Sequence, residues 1–307
     1  MEAFAIPFLL LVGGLLAVQA AANVQLAGAV GSPFGGSTLQ LGIAAVVLAV
    51  AAAIGGSLGA LDGIDRVEGW ELLGGLGSAL YITSGILLFP RLGAVVTVAL
   101  WIAGQMIGSL ALDWGGWLGV EREVPGALDL AGAAAVIAGA WLIARAQAGG
   151  AQVLGARRAG WLALAFAAGA ALPVQGAVNA ELRADLDAVL AVGTISFVVA
   201  AASMAIVLAV AVAVGASKRP RASGLRSLPW WGWLGGLIGA TYVTSVFALI
   251  PEIGTAPTIA LTVGGQQLAS LAVDRYGLLG LERRRISRLR LGAVAALLVG
   301  VVLIQVG

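Results

Sequence analysis

Long apolar runs separated by short polar or Gly- and Pro-containing connections make up most of the 307-residue chain. A helix that crosses a bilayer needs roughly 20 mostly apolar residues. Ten stretches meet that length, at 3–22, 39–56, 70–89, 93–112, 127–144, 161–180, 189–215, 230–249, 255–273 and 289–306. Backbone in hydrocarbon must satisfy its hydrogen bonds within its own segment, so the pattern predicts an all-α membrane protein with ten transmembrane helices.

The polar positions inside these runs repeat. The segment from Leu228 to Leu281 has an earlier copy 161 residues upstream, which aligns Gly74, Gly75, Tyr81, Thr83, Ser84, Pro90, Gly93, Gly104, Gln105, Ser109 and Asp113 with Gly235, Gly236, Tyr242, Thr244, Ser245, Pro251, Gly254, Gly265, Gln266, Ser270 and Asp274. Many coincidences at one offset indicate a duplicated unit. Gln19 and Asn23 likewise recur as Gln175 and Asn179. That recurrence in mid-chain, and an early charge that is only Glu2, argue against reading the N-terminal run as a cleaved signal peptide. Two five-helix units are expected, over 1–150 and 151–307.

Charge fixes an orientation. With the N-terminus outside, the inner loops and helix ends hold 14 of the 17 basic residues against two acidic ones, Asp274 and Glu282. The outer side keeps three basic residues, Arg66, Arg122 and Arg183, against 13 of the 15 acidic ones. This sorting follows the positive-inside rule and predicts both termini outside. An odd number of helices per unit then makes the halves inverted, an arrangement of secondary transporters that bind substrate near the midplane. Composition agrees: 60% of residues are hydrophobic and 10% charged, with a mean hydropathy of +1.02, against roughly 25% charged in soluble domains. The absence of His and Cys removes thiolate nucleophiles, disulfides, haem ligation, most zinc sites and imidazole proton relays. No cofactor or metal is expected.

The run Trp230-Trp231, Gly235-Gly236-Leu237-Ile238-Gly239, Pro251-Glu252-Ile253-Gly254, Gly265-Gln266 with Ser270 and Asp274, then Gly277 and Gly280, resembles the YdcZ-like branch of the drug/metabolite transporter superfamily. Both halves resemble that unit, so the chain is similar to two five-helix members fused. The resemblance implies a bacterial inner-membrane exporter with the EamA-like ten-helix inverted-repeat fold, and implies no substrate. Small multidrug-resistance exporters, more distant relatives, carry a glutamate in their first helix. Here the first helices carry Gln19 and Asn23, and Gln175 and Asn179, which argues against their proton-coupled export of lipophilic cations.

Candidate substrate contacts follow from depth. Gln19 and Asn23 share a helix face, as do Gln175 and Asn179. An amide in hydrocarbon is costly without a partner, so these faces should point inward, as helix-to-helix glue or as substrate contacts. Tyr81 with Ser84, and Tyr242 with Ser245, sit at mid-membrane depth, as do Gln105 and Gln266. Trp101, whose repeat mate is Thr262, is a stacking or packing residue. Asp113 and Asp274 end their helices on opposite faces, as solvated or capping carboxylates or as gates that pair with an arginine when their side closes. Lys218 to Arg226 and Arg283 to Arg290 read as topology determinants facing lipid headgroups, not as a nucleic-acid surface. Glycines such as Gly104 and Gly108, or Gly235 and Gly239, are expected at helix crossings.

These features favour a secondary transporter of a small polar metabolite or drug-like solute. An intramembrane enzyme would need an acid–base or nucleophilic constellation that hydroxyls and amides alone do not supply. A non-transporting scaffold or receptor gives no reason for matched midplane polar pairs. The expected partners are a small-molecule substrate and membrane lipids. A fused pair of units is expected to work as a monomer, with a dimer as the alternative.

Overall fold

A computed structural model describes residues 2–147, 156–253 and 255–306. Among the described residues lie ten α-helices and no strand. They are α1 (Glu2–Val30), α2 (Pro33–Ile54), α3 (Gly75–Leu92), α4 (Ala94–Gly115), α5 (Ala127–Gln147), α6 (Ala156–Leu186), α7 (Val189–Ala213), α8 (Leu234–Ile253), α9 (Thr255–Tyr276) and α10 (Arg288–Val306). Seven of them, α1 to α7, are long and apolar enough to cross a membrane among the described residues. The unit boundary expected at 150/151 and the glycine of the second Pro-x-x-Gly turn, Gly254, lie outside the described residues.

Element ends differ from the sequence expectation for local reasons. Helix α1 runs 29 residues and α6 runs 31, because a membrane-length window stops at the first polar residues while good helix formers carry the helix on. In α6 these are Glu181, Leu182, Arg183 and Ala184. Helix α1 stops only where Gly31 takes φ +71°. Ser32 then caps α2, its Oγ accepting from Gly35 N at 3.1 Å with Pro33 in the first turn. Helices α3 and α8 start later than expected, behind short 3₁₀ turns at Glu71–Gly74 and Trp230–Trp233.

The helices interleave across the two halves of the chain. Helix α1 packs on α8 and α9, and α6 packs on α3 and α4. Helix α2 lies against α7 and α8, α7 against α2 and α3, α4 meets α9, and α5 runs along α10. Exchanging α1–α5 for α6–α10 leaves this pattern of partners unchanged.

Glycine permits two close and equivalent crossings. A Cβ on Gly104 of α4 would collide with the Phe166 carbonyl of α6, and one on Gly169 with the Trp101 carbonyl. At the equivalent crossing of α1 and α9, a Cβ on Gly265 would meet the Leu10 carbonyl and one on Gly13 the Thr262 carbonyl. Backbones this close leave no room for any other residue, and the buried core that surrounds them is rich in Ala and Val. Gly28, by contrast, has nothing within 4 Å of such a Cβ. Gly104→Val should therefore cost at least the about 1–3 kcal/mol of overpacking, read as a lowered thermal unfolding midpoint in detergent. Gly28→Ala should leave that midpoint unchanged or slightly raised.

Candidate functional site

Among α1, α3, α4, α6 and α8 lies a cavity of about 1030 Å³. Gln19 of α1, Ser78 and Tyr81 of α3, Gln105 of α4, Gln175 and Asn179 of α6 and Tyr242 of α8 line it, with Leu16, Ile82, Met106, Leu172 and Phe197 supplying apolar wall. Its volume is at the upper end of the roughly 300–1,000 Å³ of small-molecule sites. Toward one end of the molecule the lining continues through Asp113, Glu123, Asp129, Arg183 and Asp187, of which Glu123 and Asp187 are exposed. That end is the mouth.

The polar lining residues are held by bonds that fix their direction. Gln175 Oε1 accepts from Ser78 Oγ at 3.0 Å, and its Nε2 lies 2.8 Å from the same hydroxyl and 3.4 Å from Ser196 Oγ. Asn179 Nδ2 donates to Ser196 Oγ at 3.3 Å. Gln19 Nε2 donates to the Gly235 carbonyl at 3.0 Å. Gln266 Nε2 donates to Tyr81 Oη at 2.6 Å, joining α9 to α3. Tyr242 hydrogen-bonds the Thr262 side chain. Asn179 Oδ1 and Gln105 Nε2 are buried atoms without a partner among the described residues, a cost that a bonded partner would relieve.

Other sequence candidates stand behind this surface. Trp101 is fully buried, its ring 4.2 Å from that of Tyr81 and 5.6 Å from that of Phe89. Its Nε1 donates to Ser84 Oγ at 3.1 Å, and Ser84 Oγ donates to the Tyr81 carbonyl at 2.7 Å. Ser84 and Trp101 therefore buttress Tyr81 from behind. Ser245 is half-buried and outside the lining, and Asn23 and Gln266 are buried at 1% exposure off the cavity. Asn23 lies against Gly235 as Asn179 lies against Gly74.

Ser78 and Ser196 carry site geometry that the repeat comparison passes over. Their counterparts are Gly239 and Gln40, so a search for identical pairs excludes them. The signal available in the sequence for Ser78 was its place one helical turn before Tyr81; Ser196 has no polar residue one turn away.

Opposite the mouth the molecule is shut. Asp274, 2% exposed, accepts from Ala94 N at 2.9 Å and Val95 N at 3.3 Å, and its Oδ2 pairs with Arg290 Nη2 at 2.9 Å. One carboxylate thus ties α9 and α10 to the first turn of α4, where the helix dipole favours an anion. Arg290 is 3% exposed, so this arginine is a buried ion-pair partner and not a headgroup-facing topology determinant. Likewise Asp274 caps a helix but is not solvated. Arg284 donates to the Pro90 carbonyl at 3.3 Å and packs on Gly93, whose φ of +81° and contact with the guanidinium both require glycine. Asp113, at the opposite end of α4 from Ala94, is part-exposed and lines the mouth.

The family profile described as "Putative inner membrane exporter, YdcZ" matches residues 4–142 and 160–303. The chain belongs to the YdcZ family. "Inner membrane protein YdcZ" of Escherichia coli (strain K12) is 35% identical over 83 residues, which cover 27% of this chain and 54% of that protein. The match thus spans about half the length of that relative. A solved chain titled "Crystal structure of protein" shares the fold, with a TM-score of 0.59 and 19% identity over 96% of this chain and 95% of its own. As a YdcZ-family member with many long apolar helices, the chain is a multi-pass protein of the inner membrane.

Removing one partner of a buried ion pair leaves the other uncompensated, at about 3–5 kcal/mol. Asp274→Asn and Arg290→Gln should each lower the unfolding midpoint accordingly, while the double variant Asp274→Asn with Arg290→Met, which keeps an acceptor for the Ala94 and Val95 amides, should recover part of the loss. Single variants indistinguishable from the parent would contradict the burial of the pair.

Proposed function

We propose that this YdcZ-family protein exports a small polar solute across the inner membrane by alternating access, its two halves acting as inverted five-helix repeats over 1–150 and 151–307. The observation that carries the reading is a one-sided difference between repeat mates. Gln105, Asn179 and Asp113 line the cavity, while their mates Gln266, Asn23 and Asp274 are sealed away. In a transporter built of inverted repeats, the opposite state is reached when the halves trade conformations. The sealed set would then become the lining, and the present lining would close.

In this reading all ten helices span the bilayer, both termini face outward, and the acidic mouth opens to the outside. The arginine-rich end with the Asp274–Arg290 pair faces the cytoplasm, in keeping with the positive-inside rule. Gln19, Gln175, Gln105, Asn179, Tyr81 and Tyr242 contact the solute. Gln266, Ser78 and Ser196 aim those groups, and Trp101 and Ser84 back Tyr81. The lining near the floor is neutral: amides and phenols recognise donors and acceptors, and the ring faces take apolar parts of the same solute. No acid–base pair or nucleophile stands there, which favours transport over catalysis.

Purified protein in liposomes tests this. Flux of the substrate identified by ligand-induced thermal stabilisation should fall at least tenfold in Gln105→Ala and Gln175→Ala, with the fold retained. Full flux in both variants, or no flux of any stabilising ligand under any ion gradient, would overturn the proposal.

A further inference from the structure

The two ends of the molecule are built from the same backbone but with opposite charge. The loop that follows α4 returns to its helix through Glu123 N, which donates to the Asp113 carbonyl at 2.8 Å. The loop after α9 does the same through Arg284 N to the Asp274 carbonyl at 2.7 Å. This matched pair of bonds fixes the register: Asp113 corresponds to Asp274, Glu123 to Arg284, and Asp129 of α5 to Arg290 of α10. At the shut end the carboxylate of Asp274 therefore meets the Arg290 guanidinium at 2.9 Å, while Arg284 donates to the Pro90 carbonyl and pairs with Glu282 at 3.5 Å. At the mouth the equivalent positions hold two more carboxylates. Asp113 lies within electrostatic range of both Glu123 and Asp129, and all three line the cavity.

Resting on the alternating-access reading above, we propose that the mouth shuts only when Asp113 and Asp129 share a proton, so that the proton is the coupling ion. If the shut mouth copies the shut end, Asp113 moves onto the first turn of α9, at residues 255 and 256, which correspond to Ala94 and Val95. Asp129 then arrives where Arg290 would stand. Two ionised carboxylates brought into contact away from water repel, and one proton between them turns repulsion into a charge-assisted hydrogen bond. The protonated group donates, the ionised one accepts, and the remaining anion keeps the dipole of α9 satisfied. At the other end Arg290 plays this part permanently, so that gate needs no ion.

The other charged groups facing Asp113 do not replace the proton. Glu123 and, from α6, Asp187 add negative charge. Arg183 of α6 is the one cation in the lining, and it makes no ion pair among the described residues. Arg122 lies beside Gly116, on the same loop as Glu123. A metal ion is a poorer occupant, because among the described residues no three acidic side chains gather closely enough to hold one.

The test measures the mouth directly. The chain has no cysteine, so spin labels can be placed on cysteines introduced at Ile6 of α1 and Trp114 of α4, both exposed, α1 being packed on α9 and α4 on α6. A proton bound only by the shut form changes the shut-to-open ratio about tenfold per pH unit. The inter-label distance distribution should therefore move to the short population as pH falls from 8 to 5. Asp129→Asn should remove that response. Asp129→Arg, which rebuilds the opposite latch, should hold the mouth shut at pH 8, and Arg183→Gln should respond like the parent. A mouth that ignores pH but shuts on adding sodium or the transported solute would overturn the proton while leaving alternating access standing. Loss of shutting in Arg183→Gln would make Arg183 the latch and also overturn it. Labels that never move, in Asp129→Arg included, would remove both readings together.

Discussion

The arrangement of the whole molecule depends on one carboxylate. Asp274 joins three helices at once, with two backbone amides of α4 at 2.9 and 3.3 Å and Arg290 at 2.9 Å, all away from water. Among the described residues no other acidic side chain bonds the first turn of α4 or the Arg290 guanidinium, whose Nη1 also donates to the Arg285 carbonyl at 3.0 Å. With this tie made, the cavity has a floor at that end among the described residues. In the proposed alternating access, its release is what would let α4, α9 and α10 part and open the cavity at that end.

The rest follows from how closely the helices approach. Glycine against carbonyl at the α4–α6 and α1–α9 crossings fastens the first helix of each half to the opposite half. In the proposed alternating access, these crossings would stay intact while the helices move about the cavity. Polar side chains near the cavity are neutral and mostly bonded to one another, as buried polar groups in a membrane must be. Gln105 Nε2 and Asn179 Oδ1 are the exceptions among the lining residues, buried without a partner among the described residues.

Much of this was legible in the sequence, because bilayer thickness sets helix length and because duplication marks which polar residues recur. Gln19, Tyr81, Gln105, Gln175, Asn179, Tyr242 and Asp113 stand at the cavity, and each recurs at matched depth. What stayed hidden has physical reasons. Comparison of copies rewards identity, so it passed over Ser78 and Ser196, opposite Gly239 and Gln40. Depth alone cannot tell a residue on the cavity from one directly behind it, as with Trp101 and Ser84. A count of loop charge treats all cations alike, which concealed the buried Arg290. The interleaving was invisible for another reason: it is decided by backbone-to-backbone contacts at Gly104 and Gly265, and a single sequence does not say which helix a glycine faces.

The central claim is that repeat mates exchange access to one cavity. Single cysteines in place of Asn179 and Asn23, probed with a membrane-impermeant thiol reagent applied to either face, test it most directly. The account predicts reaction at position 179 from the outer face and at position 23 from the inner face, with any ligand that speeds one slowing the other. Reaction of both from the same face, or a ligand that protects both together, would contradict it.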